Sequence, residues 1–337
     1  MAARATLAAV QQCGFHDGTV SLLQGRGADV GLGMVRHPAA RACGFTGSLG
    51  GGRALFDAAS SRPVPIPVFA EMGSTNPICI LPGKLAADPA AQAAALFGPV
   101  TGGAGQFCTK PGIILLEEGA AAETFIDAFA KLVLDHAGDV MLNRGIASSY
   151  QGGIARLGAT DGVTPVALAM PADGAPAVCG CAAAFRTSAA TFAADAELRE
   201  ELFGPWTLFV LHESAADFEA TIRLLPGQLT ASLHGTEEEL ASAAKLWDAL
   251  GQRAGRLIAN GYPTGVEVCN AMQHGGPYPA TTDGRFTSVG GPAIRRWVRP
   301  VAFQNAPEAL LPPQLHNANP MGIWRLVNNS WSKEAIG

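Results

Sequence analysis

The sequence has few charged residues, few aromatic residues and no long apolar run. Of its 337 residues, 15% are charged and 7% are aromatic, and 23 basic and 28 acidic residues give a net charge of -5. Lysine and arginine do not cluster, which argues against nucleic acid and anionic membranes. No apolar run approaches the ~20 residues that a membrane span needs. We therefore expect neither nucleic acid nor a membrane as a partner.

The first residues are expected to make a poor signal peptide, and the cysteines show no zinc-finger pattern. The first residues, MAARATLAAVQQCGFHDG, contain no apolar segment followed by a cleavage motif. The 7 cysteines are an odd number and widely scattered, which favours reduced thiols in a cytoplasm over a disulfide framework. Cys179 and Cys181 form a C-x-C pair, but no second cysteine or histidine pair lies at zinc-finger spacing. We expect a cytoplasmic protein without a metal site.

What the sequence does contain is a large apolar fraction and an alternation of strands and helices. With 48% hydrophobic residues, the chain can bury the core of two domains or one large one. Buried strands are predicted at 19–25, 41–47, 63–73, 76–83 and 255–261. Helical spacing is found at 2–13, 85–96 and 121–136. This interleaving predicts an α/β fold with a parallel sheet. Residues 262–291 are predicted to form a long ordered loop or a set of short pieces.

Two glycine-containing stretches follow predicted strands. In FTGSLGGG, residues 45–52, Ser48 can cap a helix whose free backbone N–H groups cradle a phosphate, although a helix cap without a ligand is the commoner case. In FAEMGSTNP, residues 69–77, Glu71 stands at a strand end, where ligands bind in α/β sheets. A carboxylate there can act as a base, or it can be a solvated group that caps the next turn.

Two further stretches each offer one functional residue. GAGQFCTK, residues 103–110, surrounds Cys108 with residues that suit a close backbone approach rather than a core, although a lone cysteine is more often a small buried hydrophobe. EELFGPW, residues 200–206, contains a carboxylate that can bond a sugar hydroxyl with Phe203 beside it, or it is an ordinary turn between a helix and a strand. Each stretch is weak evidence by itself.

In this order the four stretches resemble the aldehyde dehydrogenase superfamily. The family patterns are F-T-G-S-x-x-x-G, E-x-G-x-x-x-P, G-Q-x-C and E-E-x-F-G-P, and the resemblance extends to about residue 305. It implies that Cys108 is the nucleophile that forms a thiohemiacetal and then a thioester, and that Glu71 activates the hydrolytic water. It also implies roles in cofactor binding and in the aldehyde channel for Gly47, Ser48, Glu201, Phe203 and Phe107.

Within those roles, the resemblance places Gly47 and Ser48 near the pyrophosphate and nicotinamide, Glu201 on the nicotinamide ribose and Phe203 against the ring. The implied cofactor is NADP or NAD. The stretch ANGYPTGVEVCNAMQHGGPYPATTDGRFTSVG is similar to the branch that oxidises α-ketoglutaric semialdehyde (2,5-dioxopentanoate), usually with NADP. This similarity favours NADP and that aldehyde as the small-molecule substrate. His274, within the same stretch, is interpreted as a loop residue rather than a catalytic partner of the cysteine.

The resemblance also predicts the domain organisation. Residues 1–73 should form the C-terminal part of a Rossmann-like cofactor-binding domain, and residues 74–290 an α/β catalytic domain. Residues 291–337 should supply a strand for oligomerisation, within RRWVRPVAFQN at 295–305, and a C-terminal tail. We expect a homo-oligomer.

The sequence departs from the family pattern at its amino-terminal end. No P-W-N segment occurs and no lysine precedes Lys84, so part of the cofactor sheet and an oxyanion donor are not found. We therefore expect an N-terminally truncated aldehyde dehydrogenase fold. Two alternatives to an active aldehyde dehydrogenase stay open: a non-catalytic oligomerisation partner or remnant, and a cysteine hydrolase that uses Cys108 and Glu71 without a cofactor.

Overall fold

A computed structural model describes residues 2–172 and 174–336 of the chain. These residues belong to two compact units, a larger one that ends at Arg296 and a smaller one that begins at Trp297. Within the described ranges, no helix is both long enough and apolar enough to cross a membrane. All the functional residues predicted from the sequence lie in the larger unit.

The larger unit begins with a small parallel sheet and the helices around it. Its first elements are α1 (Ala2–Gln12), α2 (Gly27–Arg36), β1 (Cys43–Thr46), α3 (Leu49–Ser60) and β2 (Val68–Glu71). The strands pair in parallel with Thr46 opposite Glu71, so their carboxyl ends meet at one edge. Helix α3 begins after β1 because the Ser48 hydroxyl accepts a hydrogen bond from the Gly51 N–H at 3.2 Å. These two strands are the partial Rossmann-like sheet that the sequence predicted.

The remainder of the larger unit is built on a seven-stranded sheet. Its strands, with a small additional pair, are β3 (Ile78–Ile80), β4 (Ile113–Glu117), β5 (Asp139–Val140), β6 (Val163–Leu168), β7 (Cys179–Gly180), β8 (Ala183–Ser188), β9 (Trp206–His212), β10 (Gln228–His234) and β11 (Ala254–Ala259). The order is β11-β10-β3-β4-β9-β8-β6, and only β6 runs antiparallel to its neighbour. Strands β5 and β7 form a separate antiparallel pair.

Helices cover both faces of this sheet. They are α4 (Pro82–Ala87), α5 (Pro89–Thr101), α6 (Ala120–Leu134), α7 (Arg144–Ala159), α8 (Ala189–Ala194), α9 (Phe218–Leu224), α10 (Glu237–Ser242) and α11 (Ala244–Gly251). On β4, Ile113 and Leu115 belong to one buried apolar cluster, while Ile114 and Leu116 belong to the other. Alternate side chains of a strand point to opposite faces, which explains why a strand covered on both faces shows no polar alternation.

Most of the predicted elements are confirmed with small shifts of their ends, but the strand predicted at 19–25 is wrong. Asp17–Thr19 forms a single 3-10 turn, and the residues after it form no strand. Leu22 and Leu23 are 52% and 62% exposed. A strand needs a hydrogen-bonding neighbour, and among the described residues β1 pairs only with β2.

The smaller unit, from Trp297, contains the antiparallel hairpin of β12 (Arg325–Val327) and β13 (Ser330–Ser332). In the single chain, residues 295–305 do not form the predicted strand. Gly291–Arg296 is a 3-10 helix, and the residues from 297 to 305 have no regular secondary structure. Apolar alternation favours a strand, but a strand also needs a neighbouring strand to pair with, and this segment has none among the described residues of the chain.

Candidate active site

Cys108 follows helix α5 in a tight loop. Gly103, Ala104 and Gly105 have φ angles of 58°, 55° and 63°, in the left-handed region that glycine adopts most readily. A Cβ atom on Gly105 would lie 2.3 Å from the carbonyl carbon of Gly204, so the close approach of the two segments requires glycine. The loop leaves the Cys108 thiol half-buried. The close backbone approach expected from the flanking glycines is confirmed.

A buried amide fixes the position of this loop. Asn76 Nδ2 donates hydrogen bonds to the carbonyl oxygens of Cys108 at 2.9 Å and Lys110 at 3.1 Å. Gln228, on β10, accepts bonds at Oε1 from the backbone N–H groups of Asn76 at 3.0 Å and Thr75 at 2.7 Å. These bonds connect the main sheet to the cysteine loop. The sequence did not indicate either amide, because neither stands in a recognisable pattern with Cys108.

Glu71, the last residue of β2, is 6% exposed and accepts hydrogen bonds at both carboxylate oxygens. His274 Nε2 lies 3.2 Å from Oε1, and the Ser288 hydroxyl donates to Oε2 at 2.5 Å. Burial by itself raises the pKa of Glu71, but the bonds from His274 and Ser288 and the charge of His274 outweigh it and lower that pKa below its ordinary value. Glu71 is therefore ionised at neutral pH.

His274 lies between Glu71 and Cys108. Its Nε2 atom is 3.4 Å from Cys108 Sγ and 3.2 Å from Glu71 Oε1. Burial disfavours the charged ring, but the hydrogen bonds to Cys108 and Glu71 and their negative charges outweigh it and raise the pKa of His274 to about 9. From the sequence, His274 is interpreted as a loop residue rather than a catalytic partner of Cys108. In the structure it is a loop residue in contact with both predicted catalytic groups.

The long loop predicted at 262–291 holds His274 in place. Its middle pairs with β2: the Thr282 N–H donates to the Ala70 carbonyl at 3.0 Å, and the Met72 N–H donates to the Ala280 carbonyl at 2.8 Å. The His274 N–H donates to the Thr287 hydroxyl at 2.9 Å. These backbone contacts explain how a segment without periodicity is ordered, as predicted.

One cavity of about 720 Å³ brings together all the site residues predicted from the sequence. Its lining includes Gly47, Ser48, Glu71, Phe107, Cys108, Glu201 and Phe203. Gly47 and Ser48 enter it from the start of α3, Glu71 from the end of β2, and Cys108 from the loop after α5. Phe107 is 47% exposed beside the thiol. Residues from four separate stretches of the sequence therefore share one site.

Lys110 is a buried lysine that interacts with Glu201, the carboxylate predicted to bind the nicotinamide ribose. Lys110 Nζ donates to the Trp206 carbonyl at 2.9 Å and lies 4.9 Å from the centre of the Trp206 ring. Burial lowers the pKa of Lys110, opposed by the charge of Glu201. Burial raises the pKa of Glu201, opposed by the charge of Lys110 and by the Ser74 backbone N–H. Each group thus favours the charged form of the other.

Comparison with known proteins gives the same family as the four motifs. The model of the aldehyde dehydrogenase family matches residues 1–278. Among curated proteins, alpha-ketoglutaric semialdehyde dehydrogenase 2 of Azospirillum brasilense is 42% identical over 324 residues, covering 96% of this chain and 61% of that protein. Alpha-ketoglutaric semialdehyde dehydrogenase of Acinetobacter baylyi is 40% identical over 331 residues, covering 97% of this chain and 62% of that protein.

Solved structures with the same fold are more distant in sequence. Betaine aldehyde dehydrogenase from Staphylococcus aureus superposes with a TM-score of 0.73 at 16% identity, covering 87% of this chain and 57% of that one. An NAD-dependent aldehyde dehydrogenase from Sinorhizobium meliloti gives a TM-score of 0.69 at 20% identity, covering 87% and 56%. At this identity the likeness establishes the fold alone.

The chain spans about three fifths of the length of the curated relatives that it matches. The family model matches residues 1–278, a range that includes the small parallel sheet, Cys108 and His274. The resemblance predicted from the four motifs is confirmed, and so is the α/β fold with a partial cofactor sheet. The chain belongs to the aldehyde dehydrogenase family.

Proposed function

We propose that the protein oxidises an aldehyde to a carboxylate, with the Cys108 thiol as the nucleophile. One observation carries this proposal: a half-buried thiol and a carboxylate, both in contact with the buried imidazole of His274, line a cavity that also contains the N-terminus of α3 and Glu201. This combination supports covalent catalysis beside a site for a phosphorylated cofactor.

The chemistry of the chain begins and ends at Cys108. Attack of its sulfur on the carbonyl carbon forms a thiohemiacetal, and after the oxidation the acyl group is held on the same sulfur as a thioester. Glu71 then accepts a proton from a water molecule while the oxygen of that water bonds to the acyl carbon. The carbon–sulfur bond breaks, and the thiolate is regenerated. The lowered pKa of Glu71 keeps the carboxylate in the form that accepts this proton.

His274 has two tasks in this proposal. With its pKa raised to about 9, the ring is protonated at neutral pH and is an electrostatic partner for negative charge on the sulfur 3.4 Å away. At the same time, its contact with Oε1 orients the Glu71 carboxylate. His274 thus balances two neighbouring negative groups in a site that is largely closed to water.

The residues present fit part of a nicotinamide dinucleotide. When bound, this cofactor supplies the hydride acceptor for the oxidation. Gly47 and Ser48 stand at the N-terminus of the 12-residue helix α3, where the helix dipole and free N–H groups favour a phosphate. Glu201 offers carboxylate oxygens to a ribose hydroxyl, and Phe203 an apolar surface to the ring, in the same cavity.

We infer NADP rather than NAD as the preferred cofactor, and α-ketoglutaric semialdehyde as the substrate. The stretch that contains His274 supports both, as do the names of the two curated relatives at 42% and 40% identity for the substrate. Phe107 is proposed to line the path of the aldehyde to Cys108. We also propose that the protein is a cytoplasmic homo-oligomer. Its cofactor-binding domain is proposed to end at residue 73 and its catalytic domain at residue 290.

A cofactor-independent thiol hydrolase is the second candidate function. The contacts of Cys108 with His274 and of His274 with Glu71 favour it, because a nucleophile, an imidazole and an orienting carboxylate suffice for acyl transfer to water. In this case the thioester forms directly from an activated ester, and no oxidation precedes its hydrolysis.

One assay separates the two functions. The purified chain is given α-ketoglutaric semialdehyde with NADP or NAD, and in parallel an activated ester without cofactor. Reduced cofactor formed by the wild type and by Cys13→Ala, but not by Cys108→Ala, supports the oxidation. Cleavage of the ester without any cofactor reduction would replace it by the hydrolase. Full aldehyde oxidation by Cys108→Ala would exclude both.

A further inference from the structure

Three groups that ligate transition metals meet beside the Cys108 thiol. They are Cys108 Sγ, His274 Nε2 and a carboxylate oxygen of Glu71, and all of them lie within 4.8 Å of one another. His274 and Glu71 are 5% and 6% exposed, whereas the thiol is half-buried and lines the cavity. The three groups therefore face each other in a partly dry site with an entry path.

Two of the three separations between these atoms match those around a tetrahedral zinc ion. Zinc bonds of about 2.3 Å to sulfur and about 2.1 Å to nitrogen and oxygen place tetrahedral S and N ligands about 3.6 Å apart and N and O ligands about 3.4 Å apart. The observed distances are 3.4 Å from Sγ to Nε2 and 3.2 Å from Nε2 to Oε1. The third separation, from Sγ to a Glu71 carboxylate oxygen, is within 4.8 Å, so side-chain shifts are needed to bring all three atoms around one ion.

We propose that Zn²⁺, or a cation of similar softness, binds reversibly to Cys108, His274 and Glu71. The ligating forms are the thiolate, the neutral imidazole and the carboxylate, so binding releases the proton shared by the thiol and the ring to solvent. Three protein ligands leave the fourth position to water. The bound ion holds the sulfur that attacks the aldehyde in the proposed function, so on that basis the metal-bound protein is inactive until a chelator removes the ion.

The surroundings favour zinc and set an upper limit on its affinity. A thiolate with an imidazole selects zinc over magnesium or calcium, which prefer oxygen ligands. The Ser288 hydroxyl, 2.5 Å from Glu71 Oε2, orients the carboxylate as an outer ligand partner does. The other ring atom, His274 Nδ1, is buried and has no hydrogen-bond partner among the described residues. Without that support we expect weaker binding than at a structural zinc site.

The C-x-C pair is the competing metal-binding group. Cys179 Sγ and Cys181 Sγ lie 4.0 Å apart beside β5. They offer only two ligands. Among the described residues, the cluster with three possible metal ligands is Glu71, Cys108 and His274, and it does not include them. A test of the proposal must therefore remove each set separately.

The test is a titration of the purified chain with Co²⁺ as a spectroscopic substitute and with Zn²⁺ in a calorimeter. We expect one equivalent bound, with a near-ultraviolet sulfur-to-cobalt charge-transfer absorption that Zn²⁺ displaces. Cys108→Ser and His274→Ala should each remove the absorption. Each should also weaken Zn²⁺ binding by more than the roughly 10–100-fold that loss of an outer hydrogen-bond partner causes. Zn²⁺ should also block iodoacetamide labelling of Cys108 in the wild type.

Two control variants leave the proposed ligands untouched. The double substitution Cys179→Ser with Cys181→Ser and the exposed His37→Ala should keep the absorption and the affinity, and circular dichroism checks that all variants are folded. The proposal is overturned by absence of stoichiometric binding in the wild type, by binding that survives Cys108→Ser, or by binding that disappears only in the double variant. None of these readouts requires turnover, so they do not depend on the proposed oxidation.

Discussion

Replacement of Asn76 by alanine should destabilise the protein strongly and release the cysteine loop. The side chain donates to the Cys108 and Lys110 carbonyls at 2.9 and 3.1 Å, and its oxygen accepts from the Thr230 hydroxyl at 2.8 Å. Alanine leaves these three buried or half-buried groups without this partner, at about 1 kcal/mol or more each. Asn76 has φ of 45°, where alanine adds about 1 kcal/mol of backbone strain. We expect a total loss of about 4 kcal/mol.

The assay is urea-induced unfolding followed by circular dichroism, with two further variants. Asn76→Gly removes the same hydrogen bonds without the backbone strain, so it should lose about 3 kcal/mol. Asn328→Ala is the matched control, because Asn328 has φ of 49° but is exposed, and it should lose only about 1 kcal/mol. If Asn76→Ala and Asn328→Ala lose the same stability, the three buried hydrogen bonds do not hold the loop and the reasoning is refuted.

Three other substitutions test separate parts of the site. Gly105→Ala should abolish stable folding or displace the thiol, seen as altered iodoacetamide labelling, because its Cβ would lie 2.3 Å from Gly204; wild-type stability and labelling would contradict this close approach. His274 stabilises the folded protein through its raised pKa, so the free energy of unfolding lost in His274→Gln should be largest below pH 6.5, the ordinary histidine pKa. This loss should disappear as the pH rises through about 9. A loss that stays constant in urea titrations from about pH 6 to about pH 10 would contradict this. Lys110→Met removes the positive charge that opposes the effect of burial on Glu201, so the carboxyl signal of Glu201 in carbon-13 NMR should titrate at higher pH; an unchanged or lower titration point would refute the pairing.

The fold and most of the site follow from local features of the sequence. The buried run predicted at 76–83 contains β3, whose Cys79 and Ile78 belong to different apolar clusters because helices cover both faces of the sheet. Ser48 signals a helix start, and the glycines before Cys108 signal a close backbone approach, which Gly204 supplies. Such short-range signals can be read without knowing which segments meet.

The rest depends on contacts between distant residues. His274 lies 203 residues after Glu71 and 166 after Cys108, and nothing next to it in the chain announces either contact. Gln228 reaches Asn76 across 152 residues. A histidine followed by two glycines in a segment that must be ordered, MQHGG, is the only local hint of the first contact. The strand predicted at 19–25 failed for the same reason, because pairing depends on a neighbour and not on the segment's own composition.

The most direct test of the central claim is mass spectrometry of the Glu71→Gln protein after mixing with α-ketoglutaric semialdehyde and NADP. If Cys108 is the nucleophile and Glu71 activates the hydrolytic water, the variant should still form reduced cofactor in a first turnover. It should then accumulate the acyl group as a thioester on the peptide that contains Cys108, while the wild type releases it. Formation of reduced cofactor without any adduct on Cys108, or an adduct on another cysteine, would contradict the account.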